Sequence, residues 1–149
     1  SEEYLNSEKY EIRCWQLDQP HSLRELIARV NRIRRENTAL QSDRNLRFLN
    51  VDNDQLICYA KQSQAQRNTI LTVVNLDPHH AQTGWIEIPP DLLEVAAQES
   101  FQLHDLLTDP RYLCHGPKVY VELNPQVVPA HIFRLRGQVK REHDFDYFM

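Results

Sequence analysis

Apolar residues in the first third of the chain recur at helical spacing. Between residues 22 and 37 they follow an i, i+3, i+4, i+7 pattern, formed by Leu23, Leu26, Ile27, Val30 and Ile33. Ser22 and Glu25 have the spacing of a capping box, and Pro20 stands where it would stop an upstream helix. The pattern predicts an amphipathic helix over residues 22–37, with an opposite face that carries Arg24, Arg32 and Arg35.

Beyond residue 42 the apolar spacing shortens and turn residues recur. Short candidate strands follow one another at 46–49, 55–60, 69–76, 85–88, 101–104, 112–114, 119–123 and 131–135. The run 69–76 is rich in Ile, Leu and Val, as expected for a strand covered on both faces, and Asp77-Pro78 ends it. Only 91–97 is compatible with a helical turn. The sequence therefore predicts a mainly β fold, an antiparallel β-sandwich preceded by one helix.

Residues 1–21 contain apolar side chains that follow neither the helical nor the strand period. These are Tyr4, Leu5, Tyr10, Ile12, Trp15 and Leu17. A free-standing domain rarely begins in this way, and the apolar stripe of a single amphipathic helix has to be buried somewhere. The stripe packs either on the sandwich, on a second copy, or on another part of a longer protein, and the last arrangement explains the opening segment better.

Composition and charge narrow the class of protein. The chain has 149 residues, of which 41% are hydrophobic and 26% charged, as in an ordinary globular domain. Its net charge of -4 argues against a nucleic-acid partner, and no apolar run approaches the roughly 20 residues that cross a membrane. Cys14, Cys58 and Cys114 are widely spaced and odd in number, which favours reduced, buried thiols and a cytoplasmic location.

Several segments resemble the α-amylase superfamily. Residues 26–40 resemble the last barrel helix of those enzymes, which ends in Arg-x-x-Asn-Pro-Ala-Leu, with Thr38 here in place of the usual proline. Residues 70–76 resemble the central strand of the C-terminal sandwich, and 106–109 and 129–135 resemble its later landmarks. The resemblance implies that 1–41 is a remnant of a catalytic (β/α)8 barrel, a loop and its final helix, and that 42–149 is an amylase-type C-terminal β-sandwich.

Within the superfamily, residues 2–13, 74–80 and 127–133 are similar to the α-1,4-glucan:maltose-1-phosphate maltosyltransferase family. The resemblance extends to the tail 144–148. It implies the C-terminal segment of a retaining glycosyltransferase that moves maltosyl from maltose 1-phosphate to the non-reducing end of α-1,4-glucans. It also implies a cytoplasmic homodimer of α-glucan biosynthesis that needs no cofactor or metal.

The resemblance suggests two substrate-binding residues. A Lys-Tyr pair in this segment of the family lines the donor site and contacts maltose 1-phosphate, and it maps onto Lys9 and Tyr10. Lysine offers a compact cation to a phosphate, and tyrosine offers a hydroxyl and a ring face to a sugar. Without its flanking match the dipeptide would favour an exposed lysine beside a half-buried tyrosine.

No catalytic residue is expected in this chain. Retaining enzymes of this type need two carboxylates about 5–5.5 Å apart. The family supplies them from barrel strands upstream, and Glu2, Glu3, Glu8 and Glu11 match no catalytic position. The chain alone is therefore expected to be inactive.

Other features allow rival interpretations. His79-His80 suggests a metal pair but is better explained as a solvated turn, because adjacent residues of an extended chain point apart. His104, His115, His131 and Cys114 have no spacing that favours a shared site. Trp85 and Tyr112 are either core residues, the preferred interpretation, or a stacking platform for glucose rings. Three alternatives remain: an autonomous glucan-binding module, a structural domain at a dimer contact, or the C-terminal domain of another α-amylase-family enzyme.

Overall fold

The computed structural model describes residues 23–93 and 100–137, and the account below concerns these residues. Helix α1 spans Arg24–Glu36 and is followed by a 3₁₀ turn at Thr38–Gln41, which the sequence pattern did not predict. The strands are β1 (Leu46–Leu49), β2 (Leu56–Ser63), β3 (Asn68–Asn75), β4 (Gln82–Glu87), β5 (Ser100–Asp105), β6 (Arg111–His115), β7 (Lys118–Leu123) and β8 (Ala130–Arg136). Helix α2, Pro90–Leu93, covers the start of the stretch 91–97, of which residues 94–99 lie outside the described ranges.

The strands form two sheets, which confirms the predicted antiparallel sandwich. The larger sheet has the order β1-β2-β3-β8-β5-β6, and the smaller pairs β4 with β7. Every pairing between these strands is antiparallel. The connections from β1 to β2, from β2 to β3 and from β5 to β6 are short, as expected when neighbours in sequence lie near one another in space.

The core lies between the two sheets because each sheet turns one set of alternating side chains inward. In β7, Val119, Val121 and Leu123 are buried while the intervening residues are exposed, the period-2 pattern of a half-buried strand. These three pack in one cluster with inward residues of the large sheet, including Leu71, Phe101 and Phe133. Burial of this apolar set is the main force that joins the two sheets.

Helix α1 lies on the other face of the large sheet. A groove lies between the helix and this face, and Val30, Ile33 and Arg34 line it on the helix side. Its other side consists of outward-pointing residues of β1, β2, β3 and β8, which include the cross-strand pairs Phe48↔Tyr59 and Thr72↔Ile132. Residues 70 and 72 of β3 are buried on this face, so β3 is covered on both sides as its sequence predicted. The helix and the small sheet thus occupy opposite sides of the large sheet.

The helix begins at Arg24, with Leu23 in the N-cap position and no side chain capping it. The predicted cap, Ser22, lies outside the described residues. No helix among the described residues is both long and apolar enough to cross a membrane.

Candidate functional site

The predicted donor-site residues Lys9 and Tyr10 lie outside the described residues, as do the acidic residues of the same segment. The structure therefore describes the element that follows this segment, helix α1, and how that helix is joined to the sandwich. This junction fixes the position of helix α1 relative to the β domain.

The C-terminal end of α1 is fixed by a buried network of two asparagines. The side-chain amide of Asn37 donates to the carbonyl of Ile33 at 2.8 Å, and its oxygen accepts from the amide of Asn68 at 3.0 Å. The oxygen of Asn68 in turn accepts from the backbone N–H of Ala39 at 2.9 Å. One of the helix's otherwise unpaired terminal carbonyls is thereby satisfied, and the first residue of β3 is bound to the helix.

A second contact ties the helix to the opposite end of the large sheet. The Nε of Arg29 donates to the carbonyl of Leu106 at 3.0 Å, in the turn that follows β5. In the same turn the hydrogen bond from His104, aided by the positive charges of Arg111 and Arg29, lowers the pKa of the Asp109 carboxyl. The helix is thus held along its length by polar contacts with β3 and with the β5–β6 turn.

The apolar stripe of α1 is largely uncovered. Leu23, Leu26, Ile27 and Val30 are exposed, and only Ile33 of the stripe is buried. The expected alternative in which the stripe folds back on the sandwich therefore holds for Ile33 but not for the rest of the stripe. Beside it runs the groove described above, about 500 Å³ in volume and lined mainly by apolar side chains.

The groove also contains Phe48, an exposed apolar residue that the sequence did not single out. Phe48 on β1 is 63% exposed and contacts its cross-strand partner Tyr59 edge-on, with ring centroids 6.3 Å apart. Its outward position could have been found from its place beside the inward Leu49. Together, the helix stripe and the groove form a continuous apolar surface suited to packing against another part of a protein.

A buried Asp–His pair lies at the opposite end of the core. Asp105 is fully buried, and it accepts from Nδ1 of His131 at 2.7 Å, from the N–H of Leu107 and from the hydroxyl of Thr108. Burial raises the pKa of the Asp105 carboxyl, but these hydrogen bonds and the histidine charge outweigh it, so the pKa lies below its usual range. His131 also stacks on Phe133 with centroids 4.7 Å apart. The pair closes a structural network inside the sandwich.

The remaining histidines do not gather into one site. His104 pairs with Asp109 and His131 with Asp105. His79 and His80 lie exposed in a turn, and the backbone N–H groups of both donate to the carboxylate of Asp77. Several hydrogen bonds lower the pKa of Asp77 to about 2, and the largest contribution comes from the N–H of His79. This geometry is an Asx turn, which agrees with the solvated-turn interpretation. The described residues contain no group of three or more side chains suited to a metal.

The aromatic residues Trp85 and Tyr112 are both surface residues, so the preferred interpretation of them as core residues is wrong. Trp85 is 49% exposed and Tyr112 46% exposed, and they do not contact each other. Trp85 instead pairs with Tyr120, which the sequence reasoning missed although its alternation in β7 gives it the outward position. Tyr112 packs edge-on against Phe133 beside a cleft of about 480 Å³ between β6 and β7.

Comparison with known proteins identifies one family in both the family models and the similar sequences. The family model described as GLGE, C-terminal, matches residues 48–135, more than half of the chain. Among similar proteins, the α-1,4-glucan:maltose-1-phosphate maltosyltransferases of Salinibacter ruber and Myxococcus xanthus are 48% and 37% identical, and the matches cover 90% and 99% of this chain. They cover only 20% and 22% of the relatives, so the chain spans about a fifth of their length.

A solved structure supports the fold. The Anoxybacillus α-amylase is 17% identical and superimposes with a TM-score of 0.55, over 85% of this chain and 25% of that one. The predicted amylase-type β-sandwich is thereby confirmed at the level of fold.

Proposed function

Because the chain belongs to the GLGE C-terminal family, we propose that it is the C-terminal segment of an α-1,4-glucan:maltose-1-phosphate maltosyltransferase. The parent enzyme transfers maltosyl from maltose 1-phosphate to the non-reducing end of α-1,4-glucans with retention. Its two catalytic carboxylates come from a barrel upstream, so the isolated chain is inactive. The observation that carries the proposal is the family match over 48–135.

The structure supports two different roles for the two parts of this segment. Residues 1–41 belong to the barrel and 42–149 form the sandwich that braces it. The uncovered stripe of α1, with Leu26 and Ile27 exposed, gives the barrel an apolar surface to pack on. The Asn37–Asn68 network and the Arg29 contact bind that helix to the sandwich through hydrogen bonds.

We further propose that Lys9 and Tyr10 form one edge of the donor site. Lys9 pairs with the phosphate of the donor, and Tyr10 offers its hydroxyl and ring face to the sugar. A cytoplasmic, homodimeric enzyme without cofactor or metal completes the proposal. Burial raises the pKa of Cys58 to about 12, so this thiol is unreactive in the folded chain.

The direct test uses the longer protein that includes the residues encoded upstream of this chain. Incubation with maltose 1-phosphate and maltohexaose should release inorganic phosphate and lengthen the acceptor by two glucose units at a time, detected by mass spectrometry. Residues 1–149 alone should release none. Hydrolysis of starch without phosphate-dependent transfer would instead assign the chain to another α-amylase-family enzyme.

The donor-site assignment is tested in the same longer protein. Lys9→Ala should raise the KM for maltose 1-phosphate by about tenfold or more, because it removes a charge-assisted contact with the phosphate. Arg44→Ala, which removes a positive charge from an exposed turn, serves as the matched control. Unchanged kinetics in Lys9→Ala would remove Lys9 from the site. Light scattering of the longer protein measures whether it is a dimer.

A further inference from the structure

Two large aromatic side chains lie next to each other on the outer face of the small sheet. Trp85 of β4 and Tyr120 of β7 are cross-strand partners, with ring centroids 5.3 Å apart and planes inclined by 59°. Trp85 is 49% and Tyr120 51% exposed. Aromatic rings that remain half exposed as a pair form a surface suited to another apolar face.

Polar residues frame this pair on both sides. In the register of β4 and β7, Thr83 lies opposite Glu122 on one side of the aromatic pair, and Glu87 lies opposite Lys118 on the other. All four are exposed, and they share the face of the aromatic residues because side chains two positions apart in a strand point the same way. The small sheet thus presents three rows, polar, aromatic and polar.

We propose that this surface, the aromatic platform formed by Thr83, Trp85, Glu87, Lys118, Tyr120 and Glu122, binds an α-1,4-linked glucose chain. The inference rests on the proposed function, in which such a chain is the acceptor, and it adds a binding site away from the reacting atoms. The C–H faces of glucose rings pack on the two aromatic rings. The hydroxyl groups at the rim of each sugar hydrogen-bond with the carboxylates, the ammonium and the threonine hydroxyl.

The inclination of the two rings favours an α-linked chain. Successive glucose rings of an α-1,4 chain turn relative to one another, so the chain curves, whereas a β-1,4 chain is flat and extended. The two aromatic planes, inclined by 59°, can each contact one of two successive sugar rings that are turned in this way. The two aromatic rings cannot both lie flat against an extended chain.

The platform lies on the opposite side of the domain from the helix stripe. Helix α1 and the apolar groove, with Val30 and Phe48, lie on the far side of the large sheet from β4 and β7. A barrel that packs on the helix stripe therefore does not occupy the platform through that contact. A glucan held there stays tethered to the enzyme between rounds of extension, which raises its effective concentration at the donor site.

The experiment titrates the 149-residue chain with maltoheptaose and follows the indole N–H signals by nuclear magnetic resonance. The chain has two tryptophans, and Trp85→Phe assigns their signals. The Trp85 signal of the unaltered chain should shift on titration. Isothermal titration calorimetry measures the affinity of every variant, including those without the Trp85 signal, and Trp85→Ala and Tyr120→Ala should each weaken binding by about tenfold or more, the scale of losing one aromatic anchor. Trp85→Phe should retain part of the affinity.

Matched controls separate the platform from exposed aromatic surface in general. Phe48→Ala removes an exposed aromatic residue of another cross-strand pair and should leave the affinity unchanged. Cellohexaose should bind at least about tenfold more weakly than maltoheptaose, since it cannot follow the inclined rings.

A Trp85 signal that stays unshifted in the unaltered chain overturns the proposal, as does equal weakening by Phe48→Ala. Self-association that Trp85→Ala abolishes, without a glucan effect, would make the platform a contact between copies instead. Binding is measured without catalysis, so an intact platform in a protein that lacks maltosyl transfer would disprove the proposed function alone. Maltosyl transfer by a protein whose platform binds no glucan would disprove this inference alone.

Discussion

The side chains of Asn37 and Asn68 hydrogen-bond to each other at 3.0 Å, inside the protein and across 31 positions of the chain. One amide ends helix α1, and the other begins β3, the central strand of the large sheet. Both residues are buried, and their other polar atoms bond the carbonyl of Ile33 and the N–H of Ala39. The orientation of the helix on the sandwich therefore depends on a polar network and less on its apolar stripe.

Replacing Asn68 with alanine should lower the free energy of unfolding by roughly 1–3 kcal/mol. The change leaves the Asn37 oxygen and the Ala39 N–H buried without their partner. Urea unfolding followed by circular dichroism measures the loss. Asn50→Ala, at an exposed position, is the control and should stay within about 0.5 kcal/mol of the unaltered chain. Equal effects of the two substitutions would show that the network contributes nothing.

The Asp105–His131 pair should make stability sensitive to acid. The pKa of Asp105 is lower in the folded chain than in the unfolded one, so its contribution is complete above the unfolded value of about 3.9 and is lost as pH falls through the folded pKa. Asp105→Asn should lower the free energy of unfolding at pH 7 by roughly 3 kcal/mol, since it leaves the buried partners of the carboxylate poorly satisfied.

The measurement is the free energy of unfolding as a function of pH, between about pH 2 and 7. The unaltered chain should lose more stability on acidification than Asp105→Asn does. Asp43→Asn, in an exposed turn, should reproduce the acid profile of the unaltered chain. Parallel profiles for Asp105→Asn and the unaltered chain would contradict the assignment.

Gly84 should not tolerate a side chain. A Cβ there would meet Oδ1 of Asp52, Cδ1 of Leu56 and Cγ1 of Val51, each at 3.1 Å. Gly84→Ala should therefore cost about 1–3 kcal/mol through overpacking. Asp52 also accepts from the N–H of Trp85, so the strain reaches the aromatic platform.

Gly116 provides the comparison for Gly84, because it has open space around its Cα but a φ of +76°. Gly116→Asn should cost less than Gly116→Ala, since asparagine tolerates the left-handed region better than alanine. Thermal unfolding of the three variants ranks them. A cost for Gly84→Ala no larger than for Gly116→Asn would refute the close contact.

The exposed helix stripe should respond differently in the chain and in the longer protein. Leu26→Gln and Ile27→Gln should change the stability of residues 1–149 by no more than about 0.5 kcal/mol, since both side chains are exposed there. In the longer protein each should cost about 1.5–3 kcal/mol if the barrel buries these positions, as we propose. Arg32→Gln, an exposed position of the same helix, should have little effect in either. Equal stability of the unaltered and Ile27→Gln longer proteins would leave the stripe without its proposed partner.

The elements of the fold follow from the sequence because each has a strong local period. The helix predicted over 22–37 is present as Arg24–Glu36, and the strand predicted over 69–76 is present as Asn68–Asn75. The 3₁₀ turn Thr38–Gln41 carries no such period. It is held by hydrogen bonds from the nearby Asn45 and from Asn68, which is distant in sequence. The site could be predicted less well from the sequence, and Lys9 and Tyr10 stay predictions that depend on a family resemblance.

Alternation in β4 and β7 determines that Trp85 and Tyr120 point away from the core, since successive side chains of a strand face opposite sides. Sequence alone does not determine whether another layer covers that outward face. The tertiary structure decides it for the described residues, because helix α1 lies over the large sheet and not over the small one. The apolar stripe of α1 shows the same division: its period predicts the helix, and only the packing of the domain shows that Leu26 and Ile27 are uncovered.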